Sequence, residues 1–248
     1  MQVSRSPQPH PAQQNSTSGA FRYQPAACAG RALILSVLNG REHGAKEERE
    51  DAAKALELMG YEVTTVVDPT KEKCLSEVRK LRDTSWGRHA SSVVVVMSHG
   101  RASGGMQLAT MADDQEVQMA SLFGMLSPEN CPGLANKPKI WIVGACRGGG
   151  DVTVQTDMAG HAPAILGAEH DNLITYATSR GHLAYRGVFW KAVLDIMSED
   201  PVNHAKMPWV DICGQANATL ATQSRASVHT ETHLRDNLVS PAQLGGAA

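Results

Sequence analysis

The chain has 248 residues, enough to bury the core of one large domain, and its 42% hydrophobic and 19% charged residues are the proportions of a globular protein. A formal net charge of −2 offers neither the basic surface of a nucleic-acid binder nor the polybasic anchor of a membrane-surface protein, and no apolar run is long enough to span a bilayer. The five cysteines (Cys28, Cys74, Cys131, Cys146, Cys213) are odd in number and without C-x-x-C spacing, and no apolar signal segment opens the chain, so the expectation is free thiols, a reducing cytoplasmic setting and unused sequons at Asn15 and Asn217.

Residues 1–29 are rich in Gln, Ser, Pro and Ala, carry no Asp or Glu, and read as a disordered leader. Strand and helix patterns then alternate. Arg31 to Val37 is a first strand; "GAKEEREDAAKALELMG" is a helix with Ala52, Leu56 and Met59 on one face and Gly60 as its stop. "YEVTTVVD" is a second strand, Asp68-Pro69-Thr70 a turn and helix start, and "EKCLSEVRKLRD" a helix with Leu75, Val78 and Leu81 inward. "SSVVVVMSHG" is apolar on both faces, as a central parallel strand must be. "EVQMASLFGML" reads as a helix and "KPKIWIVGA" as a fourth strand. A Gly-rich irregular stretch runs from Arg147 to His170, too long for a plain connection and expected to serve function or processing. "DNLITYAT" is a fifth strand, "VFWKAVLDIM" and "WVDICGQANATLAT" are helices, and "HLRDNLVS" is a short last strand. The fold class this predicts is α/β, a mostly parallel sheet of about six strands with helices on both faces.

Sites in such sheets lie outside the C-terminal ends of the strands. The third strand ends at Ser98-His99-Gly100 and the fourth at Gly144-Ala145-Cys146, so neighbouring strands bring a histidine and a cysteine to one edge. A cysteine nucleophile needs a proton carrier, which a histidine near neutrality supplies, and amides for an oxyanion, which the backbone of Gly100 and Cys146 can offer. The residues alone leave two readings open, this one and a buried structural thiol beside a turn histidine.

The motifs resemble those of the caspase family. "GACRG" differs by one residue from Q-A-C-R-G, and His99 in "SHG" lies 47 residues before Cys146. "GRALILSV", "YEV…DPT", "NCPGLANKPKIWIVGACRG", "VQTD" and "ITYATSRGHLAYRG" resemble caspase segments in the same order, over Tyr23 to Val239. The resemblance implies a caspase-like cysteine endopeptidase that cuts protein and peptide substrates after aspartate in apoptosis or epithelial differentiation, without metal or other cofactor. It implies Cys146 as nucleophile, His99 as general acid/base, Gly100 and Cys146 as oxyanion amides, and Arg186 of "AYR" as the reader of the P1 aspartate, with Arg41 of "NGREHG" as its partner arginine and Gly144 and Tyr185 beside them. Guanidinium forks suit a carboxylate. Taken alone, Arg41 reads as a solvated loop charge. Zymogen cleavage is expected after Asp157 of "VQTD", or after Asp151, giving a leader (1–29), a catalytic domain (30–239) made of a large-subunit part (30–147), a linker (148–170) and a small-subunit part (171–239), and a tail (240–248). The last strand is expected to pair with its copy in a homodimer, and another caspase is a further candidate partner.

The chain departs from the family in three ways. Gly144 stands where the family has a glutamine lining the P1 pocket; the segment after Arg186 is about four residues shorter than usual; and pocket aromatics are few, Tyr185 and Trp190 being the candidates. These departures define a second reading, a pseudo-caspase that regulates an active relative. A third reading, a non-catalytic binding domain, predicts a buried Cys146. "HTETH" sets His229 and His233 four apart, but Thr230 stands where a zinc protease needs Glu, so no metal is expected. "GRASGG" lacks the lysine of a phosphate loop.

Overall fold

The computed structural model describes residues 22–41, 44–103, 106–145, 171–176, 187–223, 229–234 and 239–241. Its centre is a six-stranded sheet in the order β2-β1-β3-β7-β8-β9. The strands are β1 (Gly30–Ser36), β2 (Tyr61–Val67), β3 (Ser92–Met97), β7 (Lys139–Gly144), β8 (Asn172–Tyr176) and β9 (His229–Thr232), and all neighbours are parallel except β8 and β9. The Val and Ile runs of β3 and β7 are buried at every position because helices cover both faces. Alternate residues feed two cores. Ile34, Val93, Val95, Ile140, Ile142 and Leu173 meet α1 (Ala45–Leu58), α4 (Val188–Glu199) and α6 (Trp209–Gln223) on one face. Leu35, Val94, Val96, Trp141, Val143 and Ile174 meet α2 (Lys71–Arg82) and α3 (Met119–Met125) on the other. A short helix, α5 (Pro201–His204), joins α4 to α6.

The chain steps outward from β1 to β2 and then returns across β1 to β3. Right-handed crossovers put the helices of opposite steps on opposite faces, so α1 and α2 diverge and a crevice opens at the C-terminal ends of β1 and β3.

Several sequence expectations need correcting. Between β3 and β7 lies a three-stranded antiparallel sheet, β4 (His99–Ser103), β5 (Met106–Thr110) and β6 (Glu116–Gln118), which no sequence pattern announced. The expected helix over "EVQMASLFGML" therefore begins only at Met119; its first residues pair with β5. In α2 the inward position belongs to Cys74, while Leu75 is only partly buried against the same core. Thr70 does cap α2, accepting from the Lys73 amide at 3.2 Å. The edge strand is His229–Thr232, four residues ahead of the expected "HLRDNLVS". Val239 and Ser240 are buried instead, and the Val239 carbonyl accepts from the Trp209 amide. Trp190, a pocket candidate, is a core residue at 2% exposure. The leader (1–21 of it), the Arg147–His170 stretch and residues 177–186 lie outside the described residues.

Two glycines test the packing from opposite sides. A Cβ on Gly30 would stand 2.1 Å from the Ser91 carbonyl oxygen, so Gly30→Ala should destabilise by about 1–3 kcal/mol, lowering Tm by roughly 2–12 °C. A Cβ on Gly214, exposed within α6, meets nothing within 4 Å, so Gly214→Ala should raise Tm by about 2–4 °C through helix propensity. Paired thermal melts read both.

Candidate active site at the sheet's C-terminal edge

β1, β3 and β7 all end at one edge. In register, Ser36 lies beside Met97 and Met97 beside Gly144; the Ser98 amide donates to the Gly144 carbonyl at 3.3 Å. The chain after β1 folds back at once. The Arg41 amide donates to the Leu38 carbonyl at 2.6 Å, closing a turn whose third residue, Gly40, has φ of +67°. That conformation suits glycine, and the sequence "NG" supplies it. The Asp68 carboxylate fixes the other side of this turn by accepting from the Leu38 amide at 2.7 Å.

His99 opens β4 and stands opposite Thr110 in the hairpin. The neighbouring Ser98 hydroxyl donates to the Thr110 carbonyl, so side chain and ladder together hold this corner. The exposed imidazole of His99 reaches back to the β1 turn, with Nε2 lying 3.1 Å from the Gly40 carbonyl oxygen. A carbonyl can only accept, so the hydrogen bond requires a proton on Nε2 and leaves Nδ1 of the neutral ring as the basic nitrogen. A Cβ on Gly40 would come to 3.0 Å from this same Nε2. Gly40 thus contributes its conformation, its carbonyl and its missing side chain. Gly100 follows in β4, opposite Ala109.

Arg41 is not the solvated loop charge its sequence setting suggests. It is buried at 3%; its Nη2 donates to Glu48 Oε2 at 2.7 Å and its Nη1 to the Val37 carbonyl at 3.2 Å. Glu48 sits in the first turn of α1, where its carboxylate meets the positive end of the helix dipole. Gly144 ends β7, and a Cβ there would lie 3.6 Å from Glu48 Oε1. Of the residues expected at the site, the fold brings His99, Gly100, Arg41 and Gly144 to this edge. Cys146, Tyr185, Arg186, Asp151 and Asp157 lie outside the described residues; the described chain stops at the buried Ala145, one residue short of the thiol. Sequence reasoning did not single out Gly40 or Glu48. The "NG" turn signal could have found the first; nothing periodic links Glu48 to Arg41, seven residues earlier.

Among the described residues one group has metal-ligand chemistry: Cys28, Glu62 and His89, whose ligand atoms all lie within 4.8 Å of one another. It lies at the opposite, N-terminal edge of the sheet, and cations already serve it. Arg31 and Arg88 each approach the Glu62 carboxylate at 3.3 Å, His89 Nε2 at 3.0 Å, and Arg88 donates to the Cys28 sulfur at 3.3 Å. The side-chain contact with His89, more than the arginines, holds the Glu62 carboxyl below its usual range. The group is an ion-pair network. His233 is exposed and is not part of this group, and no helix among the described residues is long and apolar enough to cross a membrane.

Comparison with known proteins agrees with this geometry. A family model described as the caspase domain matches residues 29–236. The chain is similar to caspase-14 of Homo sapiens, 32% identical over 167 residues that cover 62% of this chain and 66% of that protein. It is 29% identical to caspase-14 of Mus musculus over 176 residues, with the same two coverages. The matches thus span slightly less than two thirds of these relatives. In three dimensions it is similar to the crystal structure of caspase-1 from Spodoptera frugiperda, with a TM-score of 0.68 and 17% identity, covering 94% of this chain and 95% of the other.

Gly40 gives a test independent of turnover. Gly40→Ala adds both a strained left-handed alanine, about 1–2 kcal/mol, and a Cβ against His99. Gly40→Asn tolerates the conformation but keeps the Cβ. Alanine should lower Tm by about 2–8 °C and asparagine by less. Both should shift the ring ¹⁵N resonances of His99 away from the Nε2–H tautomer. Unchanged resonances in both variants would show that the Gly40 carbonyl does not hold the ring.

Proposed function

The chain belongs to the caspase family of cysteine peptidases, and from that premise we propose that it is an endopeptidase with Cys146 as nucleophile and His99 as general acid/base. The observation that carries this reading is the hydrogen bond between His99 Nε2 and the Gly40 carbonyl, beside the strand that leads into Cys146. A ring anchored through Nε2 offers Nδ1 to a thiol. The Cys146 thiolate attacks the carbonyl carbon before the scissile bond, and the amides of Gly100 and Cys146 hold the oxyanion. The His99 imidazolium gives its proton to the departing amine, leaving a thioester. Water then attacks; His99 takes a proton from it, and the acid product leaves the regenerated cysteine.

In this reading Arg186 faces the P1 side chain, with Tyr185 alongside, and cleavage after Asp157 or Asp151 separates residues 30–147 from 171–239. Proteins of apoptosis or epithelial differentiation are the substrate class, in the cytoplasm. The family's typically dimeric habit and the place of β9 at the end of the sheet among the described residues, with Thr230 and Thr232 exposed, support a homodimer through that strand. A pseudo-caspase that engages an active relative is the second reading, favoured by Gly144 and by the Arg41–Glu48 pair, which together leave less at this edge to grip a substrate carboxylate.

The test is hydrolysis of peptide reporters with Asp and with neutral residues at P1, in a kosmotropic salt that favours dimers. Activity should disappear in Cys146→Ala and fall about 10²–10⁴-fold in His99→Ala. A substrate-like electrophile should label Cys146 alone in a Cys28→Ser background. Burial pushes Cys74 and Cys213 up to about 11, which keeps both as unreactive thiols near neutral pH. No hydrolysis of any reporter and no labelling, with capture of an active caspase, would establish the pseudo-caspase instead.

A further inference from the structure

The ion-pair network of Cys28, Glu62 and His89, at the N-terminal edge of the sheet, contains a demand that its arginines do not meet. His89 is buried, at 1% exposure, and both of its ring nitrogens have neighbours. Nδ1 lies 3.2 Å from the Ser85 carbonyl oxygen. A carbonyl can only accept, so Nδ1 carries the proton and the neutral ring keeps its lone pair on Nε2. Arg31 Nε, which donates to Nε2 at 3.3 Å, requires that lone pair as well. Yet Nε2 also stands 3.0 Å from Glu62 Oε2. A lone pair and a carboxylate oxygen, both acceptors, thus face each other with no proton between them. Protonating Nε2 would satisfy the carboxylate, but it would turn an N–H against the Arg31 donor and set three cations around a single carboxylate.

A divalent metal ion answers both needs, because it takes electron pairs from Nε2 and from the carboxylate at once. An imidazole that donates its other N–H to a backbone carbonyl is oriented as metal-bound histidines are. Cys28 Sγ supplies a soft third ligand, 3.8 Å from Glu62 Oε1, and the three ligand atoms lie within 4.8 Å of one another. Tetrahedral zinc holds such atoms roughly 3.3–3.8 Å apart. Backbone fixes the residues that carry them. Cys28 and His89 are joined by a parallel bridge, with the Ala90 amide donating to the Cys28 carbonyl at 3.2 Å, and Glu62 pairs with Arg31 in the β1–β2 ladder. Charge balances too, since one zinc ion offsets one thiolate and one carboxylate. The guanidinium groups are free to leave: the Arg31 and Arg88 side chains are 38% and 66% exposed, and exposed ion pairs of this kind hold weakly.

We propose that Cys28, Glu62 and His89 form a zinc site, with water as the fourth ligand on the side that half-buried Cys28 and exposed Glu62 leave open. It lies at the opposite end of the strands from the candidate active edge and does not depend on the peptidase reading. Its effect is structural. Cys28 stands just ahead of the matched caspase domain, so the metal staples the entering segment to β2 and to the chain that leads into β3. Arg31 and Arg88 compete with the metal for the same carboxylate.

The test measures binding and stability, not turnover. The intact chain carrying Cys146→Ala, which takes the proposed nucleophile out of competition for metal, is titrated with zinc chloride and with cobalt chloride under a phosphine reductant. A single equivalent should bind at this site, and cobalt should show the sulfur-to-metal charge-transfer absorption of a thiolate ligand. Zinc at about a hundred times its Kd should raise Tm by roughly 5–11 °C. Cys28→Ser should abolish the charge-transfer band, and Cys28→Ser and Glu62→Gln should each weaken zinc binding about tenfold or more. Neither side chain is buried, so both variants should fold where the buried His89→Gln could fail. Arg88→Ala should tighten zinc binding about two- to fivefold, because it removes a competing cation. Zinc that does not bind, or that binds as tightly to Cys28→Ser and Glu62→Gln as to their parent, overturns the proposal.

Discussion

Burial of β3 and β7 on both faces is the constraint from which the rest follows. With helices packed above and below, no position along either strand can carry an uncompensated polar group without a desolvation cost of some kcal/mol. Polar chemistry is therefore pushed to where the strands end, and the reversal of strand order beside β1 leaves a crevice there. His99 follows the end of β3 by two residues and Gly144 ends β7, because the apolar runs before them must stop before polar groups can be solvated or paired. The hairpin that starts at His99 then fixes the ring from one side, and the turn after β1 fixes it from the other. Each support is a few residues of backbone placed by the sheet, the second of them 59 residues away in sequence.

How far this could be read from the amino-acid sequence depended on whether a feature had a period. The parallel strands and the helices between them repeat apolar residues at regular spacing, and they lie where that spacing puts them. The strand-end positions of His99 and Gly144 followed from the same reasoning plus the rule for sheet edges. The β4–β6 hairpin did not, because its residues alternate weakly: β4 holds His99, Gly100, Arg101, Ala102 and Ser103, with little apolar signal on either face. The last strand was misplaced for a related reason. "HTET" is polar and gains its place by pairing with β8, whereas Val239 and Ser240, which looked strand-like, serve the core through a bond to Trp209. Arg41 and Glu48 have opposite charges and a seven-residue separation spanning a turn and a helix start, and only tertiary folding brings them together.

The buried pair also changes how the strand-end glycine is understood. In sequence, Gly144 is a deletion of a polar side chain. In the fold it is also a neighbour of a carboxylate that comes from elsewhere in the chain, 3.6 Å from where its Cβ would stand. Such an ion pair contributes little net stability once desolvation is counted, but removing one partner alone is costly because the other charge is left buried. That asymmetry favours coordinated change at positions 41 and 48.

The face that joins α1 to α4 and α6 has a further implication. Ala52, Ala55 and Leu56 of α1 share one apolar cluster with Phe189, Val193, Ile212 and Leu220, and β7 is laddered to β8. The halves of the chain before Ala145 and after Asp171 are thus interleaved rather than side by side. A backbone broken anywhere between them would yield two polypeptides with one common interior, neither able to bury its own apolar surface alone. Their reassembly would become a bimolecular equilibrium, with folding and association as a single event governed by concentration.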